Sequence, residues 1–267
     1  MSHRPLLTAS LAAILALSSA VHARADEVLI RNVKEASQTF ARRKDEARKA
    51  VLADFDTAIR SVGKASGLTP AARSDKVEAL KEARKTFEAS GSFPPDDEYV
   101  AIEFKYFDAV NKAFVPLIKT VNKAISEGIR TKDRDLEQTG LKLKADLERQ
   151  LPGSKLEANS RWHGTLHRPN GTTIPYHLHV GKVGNGGSFR GHVEDNPGVA
   201  GNWGYDIEGQ TSGLGVEFAL TKSTRGDFTA VRANGIISGD RMIAEVAHVV
   251  KKKKPGNNVL IVLRRVK

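Results

Sequence analysis

RWHGTLHRPNGTTIPYHLHV, residues 161–180, decides the fold of the second half of this chain. Pro169-Asn170-Gly171 suits a type I turn closed by a left-handed glycine, a common three-residue hairpin loop. Two strands flank it, and the turn sets their register. Arg168 faces Thr172, so His163 lies opposite His177 and Arg161 opposite His179. Side chains alternate between faces along a strand. Trp162, Leu166, Ile174, Tyr176, Leu178 and Val180 therefore share one strongly apolar face, and the histidines share the other. The apolar face must point into a core, which turns the imidazoles outward.

The same pattern continues to the C-terminus. Candidate strands at 160–168, 172–181, 186–194, 201–209, 212–222, 227–237, 240–250 and 257–266 are separated by Gly-, Asn- and Pro-rich turns. About eight short antiparallel strands with tight connections predict an up-and-down β-barrel or a sandwich. Glycines inside strands, such as Gly164 and Gly191, fit the strong coiling of a small barrel.

Upstream, the periodicity changes. Val33, Ala36, Phe40, Ala47, Val51, Phe55, Ile59 and Val62 recur every three or four positions, the stripe of an amphipathic helix. Thr69-Pro70 offers an N-cap and a first-turn proline for a second helix ending at Gly91. Tyr99 to Ile125 carries a third, which Pro116 should kink or divide. Asp133 caps a fourth. The expected fold is thus segregated α+β: an antiparallel helical hairpin or bundle at 26–152, then the β-domain at 153–267. The helical stripe packs on its own neighbours or, failing that, on a second copy of the chain.

Residues 1–25 read as a secretory signal peptide. Arg4 precedes an apolar run from Leu6 to Ala20, and Ala23-Arg24-Ala25 gives a cleavage pattern. The run is too short and too rich in Ala and Ser to span a membrane. The expected location is periplasmic or secreted.

Composition narrows the chemistry. The 267 residues contain no cysteine, which excludes disulfides, thiolate metal sites and a cysteine nucleophile. Of the 23 glycines, 17 lie at 160–267, where 15 basic residues face 8 acidic ones; residues 26–159 hold 25 and 23. The positive charge thus belongs mostly to the β-half. The sequence contains no nucleophile elbow, no His-Glu-x-x-His and no phosphate-binding loop. No cofactor is implied.

Three groups of residues are candidates for a site. Trp162, Tyr176, Trp203 and Tyr205 are aromatics that could line the mouth of a barrel and hold a small ligand. Lys251, Lys252, Lys253 and Lys254 could contact an acidic cell-envelope polymer. Nucleic acid is disfavoured because no aromatics interleave with the basic residues. His163, His177 and His179 could bind zinc or copper and serve a metal-dependent hydrolase. However, an outward face lacks the dry cavity and the supporting carboxylates that metal catalysis requires.

The chain resembles uncharacterised exported proteins of planctomycete-type bacteria that join charged helical hairpins to a glycine-rich β-domain. The residues behind this are the signal peptide, the helical run 28–151, Trp162-His163-Gly164 and Gly187-Ser188-Phe189-Arg190-Gly191. Glu208 to Gly213 and Gly235 to Asp240 add to it. A looser likeness is to lipocalin-like barrels. The resemblance implies fold and location and supplies no catalytic residues. The function expected is that of a non-enzymatic exported protein, its helices a spacer or oligomerising stalk and its barrel a binding module.

Overall fold

A computed structural model describes residues 6–94, 97–150, 156–168, 172–197, 203–223, 231–248 and 259–266. Four helices come first: α1 (Leu6–Gly63), α2 (Pro70–Ser90), α3 (Val100–Thr131) and α4 (Arg134–Gln150). Eight strands follow: β1 (Arg161–His167), β2 (Thr173–Val183), β3 (Ser188–Asp195), β4 (Trp203–Ser212), β5 (Gly215–Ser223), β6 (Val231–Ser238), β7 (Arg241–His248) and β8 (Val259–Arg265). All pairs are antiparallel between chain neighbours, and β8 closes on β1. The fold is segregated α+β, and the β-half is a closed up-and-down barrel.

Local chemistry places the helix ends. The Thr69 hydroxyl accepts from the Ala72 amide, Pro70 opens α2, and Gly91 ends it in the left-handed region at φ 72°. The Asp133 carboxylate accepts from the amides of Asp135 and Leu136 at the start of α4. Pro116 does not divide α3, which runs unbroken through it for 32 residues. α1 begins at Leu6, upstream of the stripe that the sequence marks from residue 28. Among the described residues no helix is long and apolar enough to cross a membrane.

The chain forms two compact units, Met1–Arg42 with Ala113–Gln150, and Arg43–Lys112 with Leu151–Lys267. In the first, Phe40 meets Phe114 edge-on with ring centroids 6.1 Å apart. In the second, Phe55, Phe87, Phe93, Tyr99 and Tyr106 form an aromatic cluster between the helical segments.

The hairpin register is the one that its turn dictates. The Arg168 amide donates to the Thr172 carbonyl at 2.9 Å, and His163 pairs with His177 and Arg161 with His179. Trp162, Leu178 and Val180 are buried in the barrel core with Phe189, Val193, Ile207 and Leu263. At Gly164 a β-carbon would stand 1.8 Å from the Val262 carbonyl oxygen. Only glycine lets β1 approach β8 this closely and so close the barrel.

The outer face of β6–β8 is covered. Val100, Phe104 and Phe107 of α3 pack on Ile236, Ile243, Leu260 and Val262. Glu103 and Arg241 are both almost wholly buried there and meet at 2.8 Å. The Leu214 amide, at the β4–β5 turn, donates to the Asn111 side-chain oxygen at 2.9 Å.

Candidate functional site

In an up-and-down barrel every second connection lies at the same end. β1, β3, β5 and β7 finish at the end where β2, β4, β6 and β8 begin. The other end carries Trp162, which is 1% exposed and whose indole N–H donates to the Ser160 hydroxyl at 3.2 Å. Towards the first end the side chains part around a cavity of about 340 Å³.

The cavity has two unlike walls. Phe218, Leu220, Val231, Ala233, Val246, Val259 and Ile261, all from β5–β8, make one wall wholly apolar. Facing it, β2–β4 contribute Tyr176, Asp195 and Tyr205, with Ile174. Tyr176 is the direct cross-strand partner of Asp195, and Tyr205 pairs with Val193, two residues before it. Parity therefore puts both phenols and the carboxylate on one inner surface. Burial, then the Asp195 carboxylate, then the Tyr205 phenol push the Tyr176 ionisation far up. Burial and Asp195 raise that of Tyr205 as well. Both hydroxyls stay protonated at neutral pH and keep a hydrogen to donate. Arg168, exposed and just beyond the end of β1, also lines the cavity.

No family model and no curated protein matches the chain. Solved structures do. An apo form of shwanavidin is similar at 15% identity with a TM-score of 0.31, covering 43% of this chain and 100% of that one. A shwanavidin mutant in complex with biotin is similar at 18% identity with a TM-score of 0.30, covering 42% and 99%.

Of the aromatics singled out in the sequence, the structure brings Tyr176 and Tyr205 together on the cavity wall. Trp162 belongs to the opposite end and does not line the cavity. Trp203 holds the register position opposite Asp195, and its side chain lies outside the described residues. Lys251–Lys254 also lie outside the described residues.

The imidazoles do face outward. His163 and His177 stack with ring centroids 3.8 Å apart and nearly parallel planes. Burial, then the His163 ring, lower the His177 pKa, and Glu194 opposes them. His179 pairs with His192, whose Nδ1 lies 3.1 Å from Asp206. Yet among the described residues no three His, Asp or Glu side chains are arranged to hold a metal ion. Parallel stacking turns ring faces, not nitrogen lone pairs, toward each other, so His163, His177 and His179 do not converge on one point.

Asp195 and the apolar wall are the parts that sequence reasoning missed. Asp195 sits just before Asn196-Pro197-Gly198 and reads as turn. The available signal was parity, since it continues the inward series Phe189, Gly191, Val193.

Proposed function

We propose that the chain is an exported, non-enzymatic binding protein whose barrel takes one small, largely apolar molecule in its cavity. The cavity itself supports this reading. Small-molecule sites are concave, mostly apolar, and enclose about 300–1,000 Å³ with a few placed polar groups. A cavity of about 340 Å³ with seven apolar residues on one wall and two phenols and a carboxylate on the other has that composition. The planctomycete-type resemblance and residues 1–25 support export.

The test uses protein recovered from the exported fraction, whose intact mass should show a chain beginning at Asp26. Prodan, a neutral naphthalene dye, should brighten and shift to the blue on titration with this protein. Leu220→Trp places an indole ring in the cavity from a half-buried position, so overpacking is mild. It should weaken prodan by about tenfold or more, because the indole takes up volume that the dye needs. Its melting temperature should stay near that of the parent. No dye response in the parent, or an unchanged response in Leu220→Trp, would remove the cavity as the binding site.

A further inference from the structure

Imidazoles crowd the outer face of β1–β3, and two of them meet ring on ring. His163 and His177 are direct cross-strand partners, with centroids 3.8 Å apart and planes 9° from parallel. His163 is exposed and His177 half-buried. The charges around the pair are uneven. On one side stand Arg161, two residues along β1, and Arg264 of β8, the partner of His163. Arg264 in turn pairs with Arg241 of β7, whose guanidinium meets Glu103. On the other side Glu194 of β3 is the partner of His177, and its carboxylate also lies 3.7 Å from the His192 Nε2. Asp206 of β4 holds the other nitrogen of His192. His179 pairs with Arg161 and His192, one rung from the stack, and His167 meets the Thr165 hydroxyl at 2.8 Å further along β1.

A stacked pair of imidazoles takes one proton readily and a second against resistance. With one proton, an imidazolium rests on the face of a neutral ring, a cation–π contact. With two, like charges face each other at ring-contact distance, and the adjoining carboxylate, Glu194, is shared with His192. Burial and the His163 ring hold the His177 pKa below its ordinary value, with Glu194 opposing. The same seam forms part of the cavity wall, because Leu166 of β1 and Ile174 of β2 are direct partners and both line it. We propose that the His163–His177 stack is a proton-operated clasp. It holds β1 to β2 at neutral pH, and double protonation in mild acid parts the rings and loosens that seam of the cavity wall. An open seam binds the second proton more readily than a closed one. Closure is therefore fully favoured above the ordinary histidine value of about 6.5 and weakens as pH falls below it.

The clasp is tested on the intact chain, in EDTA so that no adventitious metal bridges the rings. In NMR titration of labelled histidines, His163 and His177 should take up protons in two steps about one pH unit or more apart. Amide exchange, corrected for its intrinsic pH dependence, should rise about tenfold or more in β1 and β2 between about pH 7 and about pH 5, relative to β6 and β7. His177→Phe keeps a ring in the stack but leaves a single proton acceptor, so an imidazolium meets a phenyl face and the acid response should vanish. His163→Gln, at an exposed position, should abolish it too and covers a misfolded His177→Phe. His179→Gln, on the same strand but outside the stack, should respond to acid as the parent does. Coincident titration of the two rings, a seam that exchanges no faster in acid than β6–β7, or an undiminished response in both stack variants overturns the clasp. Prodan affinity should fall over the same pH range in the parent and hold in His177→Phe, and an affinity that holds in the parent overturns the loosening of the cavity wall. This last readout rests on the cavity being the binding site. An absent prodan response at pH 7 removes that site, while titration and exchange still decide the clasp.

Discussion

At Tyr176 a phenol with 6% of its surface exposed lies on the rung of a carboxylate. Burial first, and Asp195 second, disfavour its phenolate, so the folded barrel holds the proton well above the free phenol's value of about 10. Below about pH 10 the group is neutral in both states and stability is indifferent to it. Above that, the unfolded chain releases a proton that the folded chain retains. Stability must then fall as pH rises, because the unfolded state binds fewer protons. The melting temperature should therefore drop between about pH 10 and about pH 11.5, and Tyr176→Phe should drop less over the same window. Equal slopes in the two proteins would show that Tyr176 does not titrate late. The phenol's place on the inner face was legible from alternation along β2. The carboxylate beside it was not, because Asp-Asn-Pro-Gly is dominated by turn chemistry and hides the last inward position of a strand.

At the scale of elements, two kinds of strand make up the barrel. β1, β3 and β2 as far as Val180 alternate, with Trp162, Leu178 and Val193 inside and His163, His177 and Glu194 outside. β6–β8 do not alternate: Ile236-Ile237, Met242-Ile243-Ala244 and Ile261-Val262-Leu263 are buried on both faces. Continuous apolar runs are the signature of strands covered on both sides, so the sequence did hold the covering of the outer face. What covers them was not readable, since α3 is 130 residues away and its Glu103 looks like any charged helix residue. In the structure Glu103 reaches Arg241 at 2.8 Å, and both side chains are nearly inaccessible. Removing one partner leaves a buried charge, so Glu103→Ala should destabilise by about 3–5 kcal/mol. Replacing both, as Glu103→Leu with Arg241→Met, should cost much less than the single change, because a packed apolar pair needs no compensation. Urea unfolding of Glu103→Leu, of Arg241→Met and of the double measures this. Additive losses would mean that the pair is not coupled.

For the whole molecule, composition and packing mark different boundaries. Glycine content and charge change near residue 152, and the expected β-domain runs from 153 to 267. The barrel's compact unit also includes residues 43–112, because the outer face of β6–β8 is completed by α3. A fragment of residues 153–267 would expose Ile236, Ile243 and Val262, each now about 2% exposed or less. Uncovering three such side chains costs on the order of 5 kcal/mol, comparable with the entire stability of a small domain. The excised barrel should therefore unfold at lower urea than the chain 26–267 and self-associate through the bared strands. The effect of Ile236→Lys with Ile243→Lys should reverse sign with context. In the fragment the two lysines face water and should restore a monomer in sedimentation. In the intact chain they would be forced against Val100 and Phe104 and should destabilise. A fragment as stable and monomeric as the intact chain would show that the barrel stands alone and that α3 merely rests on it. The opposite signs would show that the cavity is held by a barrel whose outer wall is completed by α3.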